Sequence, residues 1–211
     1  MIEKQAYIGY GSFGKQVHSL RNSEERNSED IFFDDFCNEK KNGKMFPFNS
    51  YLDFKNENYE YYVCLGYHHL ELRKKIIGEL LENHCKVGSV IHPYGFIHDT
   101  AKVSQGCIIF PNHNIDLNVV LNHGVIVHNS VTVSHDSVIG ACSFLSPGCL
   151  ICGNTHIGEK TFIGAGSIVR DGVEIGSGVK IGIGTVVTND IQNGKSVIGN
   201  PMKILRHEIH L

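Results

Sequence analysis

The pattern of hydrophobic and polar residues divides the chain into two parts that follow different rules. From residue 91 to residue 187, every sixth position holds a branched aliphatic side chain, without exception. The residue two positions earlier is usually small or apolar, and glycine often follows the aliphatic residue. Residues two apart on a strand point the same way, so both positions face one interior. A fixed internal period of this kind predicts a solenoid of short strands with tight corners. The aliphatic positions are Ile91, Ile97, Val103, Ile109, Ile115, Leu121, Val127, Val133, Ile139, Leu145, Ile151, Ile157, Ile163, Val169, Ile175, Ile181 and Val187.

The first part of the chain alternates strand-like and helix-like segments. Short apolar runs at 6–9, 31–33 and 61–66 predict three strands. Residues 12–20 are compatible with a helix, and residues 70–82 repeat apolar side chains at helical spacing. This alternation predicts a small α/β unit built on a parallel sheet.

Length and composition fit two units in one soluble chain. The 211 residues allow each unit a core of its own, and we place the units at 1–85 and 86–191. A tail, 192–211, is expected to cap the open last coil. Acidic residues outnumber basic ones 22 to 19, which gives no electrostatic footprint for nucleic acid or an anionic membrane. The chain opens without a signal-peptide pattern and has no apolar run of membrane-spanning length. We expect a cytoplasmic protein whose seven cysteines stay reduced.

A glycine-rich loop follows the first predicted strand. Residues 9–14, GYGSFG, match the phosphate-binding pattern G-x-G-x-x-G immediately before the first predicted helix. Asp34 lies at the end of the next strand, where dinucleotide sites place an acidic residue on a ribose hydroxyl. Because only about 85 residues are available, a mononucleotide site fits better than a full dinucleotide site. A tight turn without a ligand is the alternative interpretation.

Five stretches together resemble one family of enzymes. They are IGYGSFGK, FFDDF, LELRKKI, HDSVIG and the closing GNP, and they span nearly the whole chain. The combination is similar to the bacterial N-acetyltransferases of nucleotide-linked amino sugars, of the bacillosamine and perosamine pathways, and to their sialic acid O-acetyltransferase relatives. The resemblance implies a Rossmann-like α/β unit followed by a left-handed parallel β-helix of hexapeptide repeats, with three sides and eighteen residues per coil. It also implies a homotrimer.

The resemblance implies ligand contacts in both parts of the chain. Matching the family's motifs, the nucleotide sugar would be bound by Gly11, Ser12, Phe13, Asp34 and Asp35. Many members carry histidine in this glycine loop, where the present chain has Phe13. In this superfamily coenzyme A lies in a groove between two subunits, and the matching positions are Phe144, Ala165 and Ile183. Phe144 replaces a histidine that contacts acetyl-CoA, and His128 is a candidate to supply the missing hydrogen bond.

The HDSVIG stretch matches the family's catalytic motif and implies His135 as general base. Imidazole is suited to accept a proton from an amine near neutral pH. The neighbouring Asp136 would raise its basicity and stabilise the imidazolium, as in hydrolase triads. Neighbours on a strand point in opposite directions, but they can converge at a β-helix corner. A surface histidine without a role is the alternative.

The eighteen-residue coil gives a geometric expectation for Gly153. It lies one coil above His135, at about 4.8 Å, the spacing of adjacent strands. Its missing side chain would leave a backbone N–H open to a substrate oxygen, as in an oxyanion hole. An ordinary turn glycine is the alternative.

Two spacings suggest a metal site, and the register argues against both. His123 and His128 have the spacing of the trimeric β-helix carbonic anhydrases, but Val87 stands where the third histidine would be. Cys149 and Cys152 are separated by two residues, in a C-x-x-C pattern. Cys149 belongs to the inward column and Cys152 points outward, so their side chains diverge. We expect no metal and a buried Cys149.

The position before each aliphatic residue is also apolar in many coils. Alternation makes this position point outward, so a single chain would expose an apolar stripe that a trimer covers. The stripe consists of Ile108, Val120, Ile126, Val138, Phe144, Leu150, Phe162 and Ile168.

The resemblance implies an enzyme that transfers an acetyl group from acetyl-CoA to the amine of a UDP- or dTDP-linked 4-amino-4,6-dideoxy sugar in surface-glycan biosynthesis. The amine would attack the thioester directly. O-acetylation of a sialic-acid-like sugar is the first alternative, and a trimer that only binds nucleotide sugars is the second.

Overall fold

The computed structural model describes residues 4–21, 30–35 and 44–207. Its internal contacts divide the chain into two compact units, Met1–Val90 and Ile91–Leu211. No helix in these described ranges is both long enough and apolar enough to cross a membrane.

The first unit is a parallel sheet of five strands in the order β3-β2-β1-β4-β5. This order and direction are those of a doubly wound α/β fold. The predicted helices and the three predicted strands are present, whereas β3 and β5 are only two residues long and too short for a sequence signal. The strands are β1 (Lys4–Ile8), β2 (Ile31–Phe33), β3 (Met45–Phe46), β4 (Tyr59–Val63) and β5 (Lys86–Val87), and the helices are α1 (Ser12–Leu20) and α2 (Leu70–Glu82), with 3-10 helices at Phe48–Phe54 and Tyr67–His69.

The central strands of this sheet are buried on both faces. Tyr7, Ile8, Phe33 and Tyr61 are almost fully covered, which is why these strands read as continuous apolar runs and not as alternating ones. Helix α1 follows β1 through the glycine loop, and α2 follows β4. The helix starts therefore lie at the carboxyl edge of the sheet, beside the point between β1 and β4 where doubly wound folds bind ligands.

The second unit is a parallel β-solenoid in which each strand pairs with the strand one coil later. Every third strand belongs to the same sheet, so the coil has three flat faces. We name them by their first strands: the β6 face, the β7 face and the β8 face. The strands are β6 (Val90–Ile91), β7 (Gly95–Ile97), β8 (Lys102–Val103), β9 (Ile108–Ile109), β10 (His113–Ile115), β11 (Val120–Leu121), β12 (Ile126–Val127), β13 (Thr132–Val133), β14 (Val138–Ile139), β15 (Phe144–Leu145), β16 (Leu150–Ile151), β17 (His156–Ile157), β18 (Phe162–Ile163), β19 (Ile168–Val169), β20 (Glu174–Ile175), β21 (Lys180–Ile181), β22 (Val186–Val187), β23 (Ser196–Ile198) and β24 (Lys203–Ile204).

The solenoid interior is the aliphatic column that the period of six predicts. From Ile109 to Val187 the column residues are at most 3% exposed. The register between coils is eighteen residues, as in the pair Val127 and Leu145. The prediction is wrong for Ile91, which is 44% exposed, because β6 is the edge strand of its face and has no coil beneath it.

Small polar residues in the second inward column find partners in the backbone. The Ser143 hydroxyl donates to the Gly158 carbonyl at 2.8 Å and accepts from the Thr161 amide at 3.0 Å. Satisfied hydroxyls of this kind can be buried at little cost. Cys149 occupies the same column and is buried, and burial raises the pKa of its thiol to about 12.

The last coil departs from the period. Ile191 pairs with Ile175, sixteen residues earlier. Strand β23 still continues the β6 face in parallel with β21, and β24 then runs antiparallel to β23. The segment after residue 192, expected as a cap, thus begins as part of the solenoid sheet.

The apolar residues that point outward are exposed to different degrees on the three faces. The prediction that all of them are exposed is wrong for four residues. These four lie in register on the β6 face, where each side chain is flanked by its counterparts one coil away, and all are at most 7% exposed: Ile108, Ile126, Phe144 and Phe162. Val120, Val138 and Leu150 are half-buried. Ile168, on the β7 face, is 41% exposed.

Candidate active site

The corner between the β7 and β8 faces stacks equivalent residues directly above one another. The Asp136 amide donates to the Leu117 carbonyl at 2.8 Å, and the Asn154 amide donates to the His135 carbonyl at 2.9 Å. One coil further, the Gly172 amide donates to the Gly153 carbonyl at 3.0 Å. These bonds hold His135 and Gly153 in consecutive levels of one column.

His135 and Asp136 converge at this corner although they are neighbours in sequence. Asp136 has a φ of 56°, the left-handed conformation that aspartate tolerates better than most residues. This turn brings its Oδ2 to 3.0 Å from His135 Nδ1. A carboxylate only accepts hydrogen bonds, so Nδ1 carries the proton and Nε2 keeps a lone pair in the neutral ring. The ring is about half exposed, and the arrangement is that of an oriented general base.

Asn118 completes this group, and sequence reasoning missed it. Its Nδ2 donates to Asp136 Oδ1 at 3.0 Å. The bond from Asn118, followed by the one from His135, lowers the pKa of Asp136 below its ordinary value. The carboxylate therefore stays ionised at neutral pH. Asn118 precedes Asp136 by eighteen residues, so the coil length was the signal that could have found it.

Gly153, one coil above His135, lies against the His135 ring. A Cβ on Gly153 would come within 2.6 Å of His135 Nε2 and 2.7 Å of Cε1, so the ring occupies the space that any other residue would fill. The Gly153 carbonyl accepts the Gly172 amide, whereas its N–H has no hydrogen-bond partner within the described ranges. An N–H beside the base is where an acyl-transfer site needs an oxyanion donor.

The corner between the β6 and β7 faces holds the residues predicted to contact coenzyme A. The Gly184 amide donates to the Ala165 carbonyl at 2.9 Å, which stacks Ala165 and Ile183 one coil apart. Ile183 is 78% exposed, between two glycines. A Cβ on Gly164 would lie 2.6 Å from backbone atoms of Gly182 and Ile183. A side chain is therefore excluded at Gly164, and Ala165 and the exposed Ile183 form an apolar ridge at this corner.

Two aromatic rings lie lower along the β6 face. His128 stacks on Phe110 with ring centroids 4.2 Å apart and planes 6° from parallel, and Phe144 is 6.1 Å away on its other side. His128 Nδ1 accepts the Asn129 amide at 3.0 Å. Burial lowers the pKa of His128, so the ring is neutral at pH 7 with its proton on Nε2. Phe144 is 5% exposed and contacts Phe162 as well.

In the first unit, the three glycines of the loop have separate roles. Gly9 has a φ of 87°, and a Cβ on Gly14 would lie 2.1 Å from the Gly9 carbonyl oxygen. These two glycines are required by the turn and by close packing of α1 on β1. A Cβ on Gly11 would meet nothing within 4 Å. The space beside Gly11 and exposed Ser12, at the start of α1, is thus open to a ligand, as in nucleotide-binding loops.

The two predicted carboxylates of this unit differ in their surroundings. Asp34 Oδ2 accepts the Tyr10 amide at 2.6 Å, which brings Asp34 to the glycine loop. Asp35 Oδ1 accepts the Phe48 amide at 2.8 Å, at the start of a 3-10 helix. Asp35 is therefore bonded to the start of this 3-10 helix, a contact that the sequence did not indicate.

The predicted residues thus form three groups. His135, Asp136 and Gly153 meet at the β7–β8 corner. Ala165 and Ile183 form the ridge at the β6–β7 corner, with His128 and Phe144 below it. The loop residues and Asp34 meet in the first unit. Within the described ranges, no group of three or more His, Cys, Asp or Glu side chains could hold a metal ion.

The chain is similar to one family model and to several solved structures. The model, described as the GMPPB C-terminal domain, matches residues 91–189. The acetyltransferase domain of PglB from Neisseria gonorrhoeae FA1090, solved with acetyl coenzyme A, is 33% identical, with 97% of this chain and 100% of that chain covered and a TM-score of 0.88. WeeI from Acinetobacter baumannii AYE is 26% identical, with 97% and 100% covered and a TM-score of 0.77. PerB from Caulobacter crescentus, solved with CoA and GDP-perosamine, shares the fold at 22% identity, with 97% and 98% covered and a TM-score of 0.87.

Proposed function

The chain belongs to the family of hexapeptide-repeat, left-handed β-helix acetyltransferases that includes the PglB acetyltransferase domain, and from this premise we propose its reaction. It transfers the acetyl group of acetyl-CoA to the amine of a nucleotide-linked 4-amino-4,6-dideoxy sugar, in the biosynthesis of a bacterial surface glycan. The observation that carries the proposal is the arrangement of Asp136, His135 and Gly153, in which an oriented base lies against a glycine with an available N–H.

The reaction follows from the groups at this corner. His135 Nε2 takes a proton from the sugar amine as the nitrogen lone pair attacks the thioester carbonyl carbon. Asp136 stabilises the imidazolium that forms. The Gly153 N–H donates to the carbonyl oxygen as it becomes negative. The carbon–sulfur bond then breaks with its electron pair on sulfur, and the imidazolium returns the proton to give an amide and free CoA thiol. Ser137 is buried and its hydroxyl donates to a backbone carbonyl, which supports direct attack without an acyl-enzyme.

Acetyl-CoA would bind along the β6–β7 corner. The ridge at Ala165 and Ile183 offers the coenzyme an apolar surface that includes the exposed Ile183 side chain. Below it, Phe144 cannot donate a hydrogen bond, but neutral His128 can, through Nε2–H. We assign His128 as the donor on the thioester side of the site.

The first unit would bind the nucleotide. The N–H groups at the start of α1, beside Gly11, Ser12 and Phe13, suit phosphate oxygens. Asp34, held at the loop by the Tyr10 amide, suits a ribose hydroxyl. Asp35 is a second candidate: its Oδ1 accepts the Phe48 amide, and the residue is exposed.

The enzyme would act as a homotrimer packed through the β7 face. This face exposes Phe96 and Ile168, at 53% and 41%, with half-buried Leu150 between them. The β6–β7 and β7–β8 corners lie at the two opposite edges of this face. A threefold arrangement would bring His135 of one chain to the coenzyme ridge of its neighbour, and would cover the apolar side chains. The free cysteines of the described ranges fit the reducing cytoplasm in which acetyl-CoA is made.

A substrate screen tests this proposal. Purified protein is incubated with acetyl-CoA and, separately, with UDP-, dTDP- and GDP-linked 4-amino-4,6-dideoxy sugars and with a sialic acid. Free thiol release and product mass are measured. We expect one nucleotide amino sugar to gain one acetyl group as an amide. Acetylation of sialic acid alone would assign O-acetylation, and nucleotide-sugar binding without thiol release would assign a binding protein.

A further inference from the structure

The column that carries His135 is asymmetric about that residue. One coil below His135 lies Leu117, which is 39% exposed, and one coil above lies Gly153. Two coils away in each direction the column holds an exposed aspartate, Asp99 below and Asp171 above. The level between His135 and Asp99 holds Leu117, whereas the level between His135 and Asp171 holds Gly153, which has no side chain.

The levels of Gly153 and Asp171 are one strand spacing apart, about 4.8 Å. The His135 ring is turned toward the level of Gly153, since its Nε2 lies 2.6 Å from the position of a Gly153 Cβ. The Gly172 amide bonds to the Gly153 carbonyl, so Asp171 belongs to the next level, about 4.8 Å higher. A nitrogen placed between the two levels can be within hydrogen-bond distance of both side chains.

Asp171 has no hydrogen bond or ion pair with any other described residue. The other titratable or charged side chains at this corner, in the three levels from Ser134 to Gly172, are Asp136, Cys152 and Arg170. The next residues of the chain at this corner are the uncharged Asn189 and the acidic Asp190, where the last coil departs from the period; Asp190 Oδ1 accepts the Glu174 amide at 2.9 Å. The Asp171 carboxylate is thus exposed in the same column as the base and has no partner among the residues that the structure describes.

We propose that Asp171 binds the ammonium form of the substrate amine in the gap above Gly153, opposite His135 Nε2. This inference rests on the proposed function and adds a residue that selects its substrate. An alkylammonium group has three N–H donors, so it can bond to the carboxylate and to the lone pair of the neutral imidazole at once. A sugar hydroxyl is neutral and gains much less from the carboxylate. Asp171 therefore favours N-acetylation over O-acetylation.

The Asp171 carboxylate would tighten binding of the amine but lower the rate at acidic pH. It stabilises the ammonium, which tightens binding and raises the pKa of the bound amine. The bound ammonium must first lose one proton to solvent, and the neutral amine then gives a second proton to His135 as its nitrogen attacks the thioester. Removing the charge should therefore weaken binding and, in the enzyme–substrate complex, move the acid limb of kcat to lower pH.

The variants Asp171→Asn and Asp99→Asn test the proposal as a matched pair, because both remove one exposed carboxylate two coils from His135. The substrate is whichever nucleotide amino sugar the wild-type enzyme acetylates. For Asp171→Asn we expect KM for that sugar to rise about tenfold, the effect of one screened charge-assisted hydrogen bond. KM for acetyl-CoA and the melting temperature should be unchanged. The acid limb of kcat should move to lower pH. Asp99→Asn should match the wild type.

Two failures can be told apart. If the wild type acetylates an amino sugar but Asp171→Asn retains its KM and pH profile, the role of Asp171 is wrong and the proposed function stands. If Asp171→Asn and Asp99→Asn raised KM equally, the cause would be the change in net charge, and the role of Asp171 would again be wrong. If no amino sugar is acetylated by the wild type, both proposals fall.

Discussion

Replacing Gly153 by alanine should move the catalytic base without unfolding the protein. The added Cβ would lie 2.6 Å from His135 Nε2. Ordinary contact begins near 3.4 Å, so the ring must move by about 0.8 Å, and a misplacement near 1 Å costs about 100-fold in rate. That factor corresponds to about 2.7 kcal/mol of activation free energy. The φ of Gly153 is not in the left-handed region, and the half-exposed imidazole can swing outward, so we expect little change in stability.

Steady-state turnover and a thermal melt measure this prediction together. Gly78→Ala is the matched control, since a Cβ on Gly78 meets nothing within 4 Å. Gly153→Ala should lose about 100-fold in kcat while both variants melt close to the wild type. If folded Gly153→Ala turned over within a few-fold of the wild type, the contact between Gly153 and His135 would have no part in the chemistry.

Three further predictions address the other groups. Asp34→Ala should weaken nucleotide-sugar binding in calorimetry and leave acetyl-CoA binding unchanged, because the residue lies at the glycine loop; equal loss of both ligands would make Asp34 structural. Asp136→Asn should lower kcat about tenfold to 100-fold, because the imidazolium loses its counter-charge. The hydrogen bonds from Asn118 and His135 lower the pKa of Asp136 in the folded protein. These bonds are therefore present at pH values above the ordinary aspartate pKa and are lost only as pH falls through the lowered value. A loss of wild-type activity near neutral pH that Asp136→Asn abolished would contradict this. Light scattering should give about three times the 23.4 kDa chain mass for the wild type and for the control Lys102→Glu. Ile168→Glu, on the β7 face, should give the mass of one chain. A fully active wild-type monomer would refute the site shared between subunits.

The repeat made much of the second unit predictable from sequence. A period of six with a coil of eighteen places every residue in a column, and the prediction of Gly153 above His135 follows from that register alone. The same arithmetic reaches Asn118 below Asp136. It also places Asp99 and Asp171 two coils from His135 in the same column. That both carboxylates are exposed, and that the His135 ring lies against Gly153, is known only from the structure.

Other features depend on contacts that a repeat does not encode. Alternation gives the direction of a side chain but not what covers it, which is why Phe144 points outward and is still buried. The contact between Asp35 and the Phe48 amide joins residues in different elements. By contrast, the left-handed turn at Asp136 recurs at every sixth residue from Gly106 to Gly184, so the repeat does encode the corner at which His135 and Asp136 converge.

The activity of His135→Ala tests the central claim most directly. The measurement compares kcat for acetyl transfer to the nucleotide amino sugar with the dissociation constant of the same sugar, in folded protein. The account predicts a fall in kcat of about two to four orders of magnitude, the range for loss of a general base, with nucleotide-sugar binding nearly unchanged. Wild-type turnover in the folded variant would contradict it.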